Sequence, residues 1–587
     1  MWAGVKWQRG AHDPETWGDG GSQLGAAAAG RAAFWTPGAV SHGEPIPLWH
    51  AGCIANRAEL LAQTGLPPGA MDAQILCALY ERFGSSAAGR IAGQFAWILW
   101  DAPRHILVAA RDRLGTQGLY YAERGDTLWV SGDLEALLAQ VPGPHRLSLR
   151  SAIAQIHALT PAAGETFYEG IAAVEPGGWL EATTKGISRH SYWRMEAQPE
   201  LRLPSDAEYA EAYRALLLEV VRGYVAGARM GVTLSSGMDS TSVAAAIKAV
   251  VPTADLTALT WTTPELPAAE EYPLAGLVAA RLGLPQLTLR ADLNWTLCTP
   301  EGLHTDRGAP FLLYYEEAWD VTHQAFREHD VEIVFDGMSG DNLFGGNVFV
   351  YPDLLLTGRW LRLARELCYH LPRSPLKPTL ARAVRTMIIS PIAQAYFPFL
   401  VRRSPPAPWL RAGQRPLFRE VSSRPSHAPS IRMLPGRARR LQSLQDPFLT
   451  QVAEHVDRRA RTHHGIEMRH PLLDHRLFEF AASLPTTQTF RAGQRKVIVR
   501  NAMRDTLPDE IVDMWGKITP ETISERGLRE REVGKVWALL SGMRAADLGL
   551  VDEAALRETY QRYLDGKTSN ALFWYTLTLE DWLRRYF

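Results

Sequence analysis

One stretch decides the fold: Gly231-Val-Thr-Leu-Ser-Ser-Gly-Met-Asp-Ser240 joins an apolar run to a loop of small residues, and a helical pattern follows directly. Small side chains let the backbone approach a ligand, and a helix N-terminus offers unpaired N–H groups and a positive dipole end. The stretch therefore predicts a strand, a phosphate-binding loop and a helix. An N-capped turn without a ligand would have a similar sequence, so the stretch alone leaves that interpretation open.

The polar side chains of this stretch fit a magnesium-bound triphosphate better than a bare phosphate. Ser235, Ser236 and Ser240 offer hydroxyl donors. Asp239 would repel phosphate unless its carboxylate binds Mg²⁺ between itself and the ligand. We therefore predict a magnesium–nucleotide site here.

A second stretch, Val331-Glu-Ile-Val-Phe-Asp-Gly-Met-Ser-Gly-Asp-Asn-Leu-Phe-Gly-Gly346, again runs from apolar residues into a glycine-rich loop. Ligands lie at the carboxyl ends of parallel strands, so this loop should face the first one. Asp341 is then a candidate for the second magnesium carboxylate. The alternative is a turn residue, which is common for an Asp among glycines.

Around these loops, apolar strands alternate with longer helical segments, which is typical of an α/β domain with a parallel sheet. The pattern predicts strands at Gly231–Leu234, Leu256–Trp261 and Val331–Phe335, and helices at Ser240–Val250 and Tyr272–Leu282. Beyond residue 350 the pattern becomes mainly helical. We assign residues 206–587 to this domain, with 347–460 as its variable part.

Residues 1–200 are predicted to form a separate, strand-rich domain. Alternating segments at Phe95–Trp100 and His105–Ala110 predict strands, and the apolar spacing of Asp72–Phe83 predicts a helix. A proline-containing linker near residues 196–206 separates the two domains.

The charges nearly cancel, with 62 Lys and Arg against 63 Asp and Glu, so no global field steers the protein toward nucleic acid or an anionic membrane. The four cysteines include no CxxC pair, which argues against a disulfide framework and a structural zinc site. No charge-free run reaches the length of a membrane helix, and the first residues lack the apolar core of a signal peptide. We expect a cytoplasmic protein that binds no nucleic acid and spans no membrane.

The two loops together resemble the ATP-pyrophosphatase domain of glutamine-hydrolysing asparagine synthetases, whose usual motifs are SGGxDS and SGDGGDELFGG. Further segments are similar to family motifs in the same order: Glu467–Phe480, Lys496–Arg500, Leu507–Ile511, the basic position Lys517 and the tail Leu572–Arg584. The resemblance covers nearly the whole chain. It implies a parallel-sheet ATP-pyrophosphatase domain with a helical C-terminal part.

The resemblance also implies a site for ATP in which Asp239 and Asp341 hold Mg²⁺. The residues that it places at the nucleotide are Leu234, Ser235, Ser236, Gly237, Met238, Ser240, Thr260 and Gly337. Lys496 and Lys517 would neutralise charge as pyrophosphate leaves. The implied reaction is the activation of a carboxylate as an acyl-adenylate, which an amine then captures as an amide with release of AMP.

The front domain resembles the glutaminase half of the same family, which implies an Ntn-hydrolase-like αββα sandwich. Segments such as Gly93–Asp101 and Ala110–Gly115 carry this resemblance. A working glutaminase of this type needs cysteine directly after the initiator Met, where Trp2 stands here. Cys53 lies beside an altered pocket motif, Ala51-Gly52, and we interpret it as a structural thiol. We therefore expect no glutamine hydrolysis and no ammonia tunnel.

An ATP site without a glutaminase nucleophile implies an amine that is carried by the substrate. Lasso peptide cyclases have this combination: they adenylate an Asp or Glu side chain, and the N-terminal amine of the peptide closes a macrolactam. In β-lactam synthetases, a catalytic tyrosine stands where this chain has Met338, which is neither acid nor base. We favour a lasso-type cyclase, with a precursor peptide as substrate and a leader-peptide protease and leader-binding protein as partners. An amide synthetase of small substrates and a non-catalytic scaffold stay open as alternatives.

One segment has an unusual composition. From Arg402 to Arg440 there are ten arginines, seven prolines and one acidic residue, Glu420. Charge-rich runs are mostly exposed faces, so we expect a solvated excursion. The alternative is a docking surface for an acidic or extended peptide.

Overall fold

The computed structural model describes residues 4–8, 32–35, 47–227, 229–294, 306–310, 315–373, 379–397, 405–423, 433–516, 518, 521–569 and 571–587. Trp2 and Lys517 lie outside the described residues, so the interpretations that rest on them stay predictions.

The front domain is built from two five-stranded antiparallel sheets. Its strands are β1 Gly4–Gln8, β2 Ala32–Trp35, β3 Leu48–Ile54, β4 Gly93–Asp101, β5 Ile106–Arg111, β6 Tyr120–Arg124, β7 Thr127–Ser131, β8 Ile171–Ala173, β9 Gly178–Thr183 and β10 Gly186–Ser191. One sheet has the order β2-β1-β7-β6-β8, and the other has the order β10-β9-β5-β4-β3.

Strand β4 shows why these sheets stack. Its side chains alternate: Trp97 packs toward the helices outside the sheet, and Ile98 packs toward the other sheet. The helices on the two outer faces are α1 Arg57–Thr64, α2 Asp72–Phe83, α3 Leu134–Gln140 and α4 Leu149–Ile156. The predicted αββα sandwich is therefore confirmed, and the predicted helix Asp72–Phe83 has the expected bounds.

The second domain is centred on a five-stranded parallel sheet. Its strands are β11 Met230–Thr233, β12 Leu256–Thr262, β13 Gln286–Arg290, β14 Ile333–Phe335 and β15 Glu467–Arg469, in the order β13-β12-β11-β14-β15. Strand β12 lies on one side of β11 and β14 lies on the other, so the winding direction changes between β11 and β14. The loops that follow β11 and β14 therefore flank the crevice where ligands bind in such sheets.

Helices cover both faces of this sheet and form the remainder of the described domain. They are α5 Asp206–Tyr224, α6 Met238–Val250, α7 Tyr272–Leu282, α8 Glu316–Glu328, α9 Gly340–Phe344, α10 Val350–Leu356, α11 Trp360–Arg373, α12 Leu380–Val384, α13 Ser390–Tyr396, α14 Arg415–Ser422, α15 Pro435–Leu444, α16 Phe448–Arg459, α17 His475–Ser483, α18 Val497–Met503, α19 Asp509–Val512, α20 Glu521–Arg526, α21 Val533–Leu539, α22 Arg544–Asp547, α23 Glu553–Leu564 and α24 Phe573–Tyr586. A short hairpin, β16 Phe490–Arg491 and β17 Gln494–Arg495, precedes α18.

Local sequence sets the bounds of these helices. In α7, Pro273 lies in the first turn, where its missing N–H costs no hydrogen bond, and Gly283 ends the helix with φ +64°. Helices α5 and α6 pack on one face of the sheet, and α8 and α16 pack on the other. No helix in the described part of the chain has the length and apolarity needed to cross a membrane.

The expected solvated excursion between Arg402 and Arg440 is confirmed only in part for the described residues 405–423 and 433–440. Arg411, Arg415, Arg419 and Arg439 are exposed, but other residues of the same segment are buried. Trp409 is 2% exposed and donates from its ring nitrogen to Thr576 Oγ1 at 2.9 Å. Phe418 joins a core that α3 and α4 share with α21, α23 and α24. Arg440 is buried and donates to the carbonyl oxygens of Ala481 and Leu484. Apolar anchors and carbonyl partners thus attach this segment to the core, and most of its described arginines stay exposed.

Candidate active site

The first loop, residues 234–237, is held in shape by its own serines. The Ser235 N–H donates to Ser240 Oγ at 3.1 Å, and the Gly237 N–H donates to Ser235 Oγ at 3.1 Å. The two hydroxyl oxygens lie 2.9 Å apart. Ser235, Gly237 and Asp239 are partly exposed at the start of α6. The loop is therefore preorganised where a helix N-terminus favours phosphate.

Other residues assigned to the nucleotide support this loop from behind. Thr260 is fully buried and donates to the Leu234 carbonyl oxygen at 2.9 Å. The side chains of Leu234 and Met238 belong to the domain core. Ser236 donates to Glu271 Oε1 at 2.8 Å, so its hydroxyl is engaged by the residue that precedes α7. This differs from the expectation that the hydroxyl of Ser236 faces phosphate.

The second loop, residues 336–340, packs directly on the first turn of α6, which continues the first loop. A Cβ atom at Gly337 would lie 2.3 Å from the Ser240 backbone nitrogen, and one at Gly340 would lie 2.1 Å from Cγ of Asp239. Contact between the loops therefore requires glycine at both positions. Ser339 between them has φ +79°, a strained value for a residue with a side chain. Strain is thus located where the two loops meet.

One ammonium group contacts both of the predicted metal ligands. Lys496 Nζ lies 2.6 Å from Asp239 Oδ2 and 2.9 Å from Asp341 Oδ1. The backbone of Lys496 is also strained, with φ +59°. Arg495 adds a guanidinium nitrogen 3.5 Å from Asp341 Oδ1. The structure therefore brings together three of the four residues assigned to catalysis, and Lys517 lies outside the described residues.

These two carboxylates fit a divalent cation. Carboxylate oxygens are the side-chain ligands that Mg²⁺ prefers, and a positively charged group already contacts one oxygen of each carboxylate. Because that group is Lys496, its ammonium would have to leave or share the carboxylates when a metal is held there.

A model of the asparagine synthase family matches residues 212–584. The chain belongs to the asparagine synthase family. A second model, described as a glutamine amidotransferase domain, matches residues 46–193. The family forms amides with ATP, and the resemblance drawn from the two loops is confirmed at this level.

Curated relatives agree with the family and differ in name. Amidase chyE of Penicillium rubens is 24% identical over 84% of this chain and 79% of its own length. Amidase chry2 of Gibberella zeae is 34% identical over 31% of this chain, and the chain spans 27% of the length of that amidase. Glutamine-hydrolysing asparagine synthetase 3 of Bacillus subtilis is 28% identical over 30% of this chain and 28% of its own length.

A solved structure, the glutamine phosphoribosylpyrophosphate amidotransferase from Bacillus subtilis, is 12% identical over 57% of this chain and 69% of that chain. Its TM-score of 0.22 is too low to support an argument.

In this asparagine synthase-family chain, the thiol beside the altered glutaminase motif is buried. Cys53 is 8% exposed, and its Sγ lies 3.8 Å from the Gly223 carbonyl oxygen. Burial raises the pKa of the Cys53 thiol to about 11. A Cβ atom on Gly52 would lie 2.0 Å from the Gln94 carbonyl oxygen. A thiol with a raised pKa is a poor nucleophile, which agrees with a structural role for Cys53.

Sequence reasoning missed a buried pair beside the second loop. His470 Nδ1 lies 2.9 Å from each carboxylate oxygen of Asp336. Burial lowers the pKa of His470, but the Asp336 carboxylate raises it by more, so the pKa lies above its ordinary value. Position alone could have indicated the pair, because Asp336 follows β14 and His470 follows the neighbouring strand β15.

A cavity of about 520 Å³ borders Asp341. Asn342, Phe349, Arg439 and Arg495 are among the residues that line it. Arg439 is exposed and has no ion pair among the described residues. The cavity therefore offers positive charge next to a predicted metal ligand.

A second polar cluster is formed by residues outside these loops. Asp320, His323 and His464 bring ligand-type atoms within 4.8 Å of one another. However, the Arg459 guanidinium forms an ion pair with Asp320. That positive charge opposes a metal cation and already neutralises the carboxylate.

Proposed function

We propose that this chain closes a macrolactam in a lasso-type peptide at the expense of ATP. In the proposed reaction, an Asp or Glu side chain of the peptide attacks the α-phosphate of ATP, and pyrophosphate leaves. The N-terminal amine of the same peptide then attacks the acyl-adenylate carbonyl, so that an amide forms and AMP leaves. The observation that carries the proposal is the contact of Asp239 and Asp341 with one cationic group, Lys496 Nζ.

The residues of the two loops have distinct roles in this proposal. Ser235, Gly237 and the N-terminus of α6 would bind the departing pyrophosphate. Asp239 and Asp341 would hold Mg²⁺, which supplies charge neutralisation when bound. Lys496 would move its ammonium from these carboxylates to the pyrophosphate, where it would stabilise the developing charge.

The front domain supports an amine that comes from the substrate. Cys53 is buried beside the altered motif, and its pKa is raised to about 11, so it is unsuited to release ammonia from glutamine. An amine that belongs to the same peptide needs only to be held near the adenylate, and such proximity lowers a barrier by several kcal/mol.

A peptide substrate agrees with the space beside Asp341. The cavity of about 520 Å³ lies in the range of ligand pockets, and Arg439 and Arg495 suit a substrate that presents carboxylates. We also propose that a leader-peptide protease and a leader-binding protein deliver this peptide.

The test uses purified protein, MgATP and linear candidate peptides that begin with Gly or Ala and carry Asp or Glu seven to nine residues on. We expect mass spectrometry to find a peptide that is lighter by one water and whose N-terminal amine is no longer free. One AMP should form for each ring that is closed. Asp239→Asn should abolish both products, and Asp255→Asn, which alters a mainly exposed acid before β12, should retain both.

Two other results would contradict the proposal. Asparagine made from aspartate and ammonia would indicate an amide synthetase of small substrates. A non-catalytic scaffold would be indicated if no AMP formed with any of three kinds of substrate. These are the candidate peptides, aspartate, and a β-amino acid that could close into a small ring.

A further inference from the structure

The buried Asp336–His470 pair connects the front domain with the second loop, of which Asp336 is the first residue. Asp336 and His470 are 2% and 1% exposed. They follow β14 and β15, whose last residues Phe335 and Arg469 are register partners. The pair is therefore fixed by the sheet itself.

On one side, the pair holds the second loop. The Met338 N–H donates to Asp336 Oδ1 at 3.1 Å, and His470 Nδ1 lies 2.9 Å from the same oxygen. Met338 lies between Gly337, which packs on Ser240, and the strained residue Ser339. A strained loop persists only where its surroundings hold it, and the Asp336 carboxylate is one such support.

On the other side, the front domain holds His470. Gln94 Nε2 donates to the His470 carbonyl oxygen at 3.1 Å, and the His470 N–H donates to Gln94 Oε1 at 3.2 Å. Gln94 is 1% exposed and is the register partner of Cys53 across β3 and β4. One side chain of the glutaminase-like domain thus contacts both backbone groups of His470, whose carbonyl oxygen also accepts from the Leu473 N–H at 2.8 Å.

We propose that His470 is a positioning residue for the second loop and that Gln94 makes the front domain part of the ATP site. In this arrangement Gln94 fixes the backbone of His470, and the imidazole fixes Asp336. Asp336 fixes the loop that places Asp341 opposite Asp239. The front domain then contributes to amide synthesis through this support, although its own thiol is buried. The inference rests on the proposed nucleotide site.

The experiment measures MgATP binding by isothermal titration calorimetry, with thermal unfolding of each variant as a control for folding. His470→Leu removes the hydrogen bond to Asp336, and we expect it to weaken MgATP binding by about 10-fold or more, as for groups that orient metal ligands. His470→Asn can place its amide nitrogen where Nδ1 was, so we expect it to stay within about 3-fold of wild type.

Gln94→Leu keeps the imidazole and tests the front domain. We expect weaker MgATP binding by about 3-fold to 10-fold, and no further loss when it is combined with His470→Leu, because both changes interrupt one chain of contacts. This variant also decides the question if His470→Leu does not fold.

Three results would overturn the inference. His470→Leu and Gln94→Leu could both bind MgATP as wild type does, His470→Asn could lose as much affinity as His470→Leu, or the losses could simply add in the double variant. If the wild-type chain itself does not bind MgATP, the proposed function fails as well, so the two failures are distinguishable.

Discussion

The region around Cys53 and the region around Asp239 are built alike and differ in what they leave accessible. In both, a glycine lies against a neighbouring segment: Gly52 against Gln94, and Gly340 against Asp239. Yet Cys53 is 8% exposed, whereas the side chains of Asp239 and Asp341 are 17% and 29% exposed. Close packing thus buries the Cys53 thiol in one region and leaves the carboxylates of Asp239 and Asp341 partly exposed in the other. The front domain keeps its fold, and the thiol beside its altered motif is buried.

The largest expected effect tests the accessible region. Asp341→Asn keeps the size of the side chain and removes one of the two charges that contact Lys496. We expect AMP formation to fall by about 100-fold or more, because charge placed at a reacting site is worth several kcal/mol. Thermal unfolding should change little, because the side chain is partly exposed. Turnover within about 3-fold of Asp255→Asn would contradict a role for Asp341.

A second variant tests whether close packing sets the geometry. A Cβ atom at Gly340 would meet the Asp239 carboxylate, so we expect Gly340→Ala to displace that carboxylate and to lower AMP formation by about 10-fold. The free energy of unfolding should fall by about 1–3 kcal/mol, as is usual for overpacking. Urea denaturation and turnover measure the two effects.

Gly413→Ala is the matched control for this change. No atom lies within 4 Å of a Cβ atom built there, so we expect neither activity nor stability to fall. Equal activity of the two alanine variants would show that the contact between the loops does not position Asp239.

The sequence predicted three strands of the described parallel sheet, β11, β12 and β14, and the two loops, because these features have local patterns. It did not predict β13 and β15. Apolar runs that end in glycine-rich loops mark the carboxyl ends of β11 and β14. The chemistry of these loops indicates Asp239 and Asp341, and the family resemblance assigns the same two residues. Helix α6 begins at Met238, although the pattern predicted Ser240, because the first residues of a helix carry no periodic signal.

The parts that sequence reasoning missed depend on contacts between distant residues. Asp336 and His470 are 134 positions apart, and no local pattern connects them. The hydroxyl of Ser236 was assigned to phosphate, but Glu271 accepts its hydrogen bond. The composition of the arginine-rich segment predicts exposure, which most of its described arginines show, but it hides two buried anchors, Trp409 and Phe418. Composition and motif therefore locate a site better than they orient its side chains.

A smaller effect is expected at the boundary between the two domains. His455 Nδ1 lies 3.1 Å from Asp306 Oδ2, and His455 Nε2 lies 3.2 Å from Glu316 Oε1. The neighbouring residue Glu454 accepts a hydrogen bond from the Tyr120 hydroxyl of the front domain. Burial lowers the pKa of His455, but Glu316 and Asp306 raise it by more, to about 9. The folded state therefore favours the protonated imidazole.

The sign of the pH dependence follows from this shift. A histidine with a raised pKa stabilises the fold fully below its unfolded pKa of about 6.5, and this contribution is lost as the pH rises through about 9. We expect the free energy of unfolding to fall by about 2–3 kcal/mol from pH 6.5 to pH 9 in urea denaturation. His455→Gln should be less stable at pH 6.5 and should show a flatter profile. A variant profile as steep as that of wild type would assign the slope to other groups.

The smallest effect is expected at Cys53. This prediction tests the contrast between the buried region around Cys53 and the accessible region around Asp239. Cys53→Ala removes a buried sulfur, so we expect a loss of about 1 kcal/mol in stability and no change in ATP-dependent amide formation. Cys77→Ala is the matched control, because Cys77 is buried at 4% exposure in the same domain but away from the altered motif. Neither variant should change glutamate release from glutamine, which we expect at background in wild type. If the protein released glutamate, and Cys53→Ala abolished this release while Cys77→Ala retained it, the Cys53 thiol would be accessible to substrate. The contrast between a buried region around Cys53 and an accessible region around Asp239 would then be wrong.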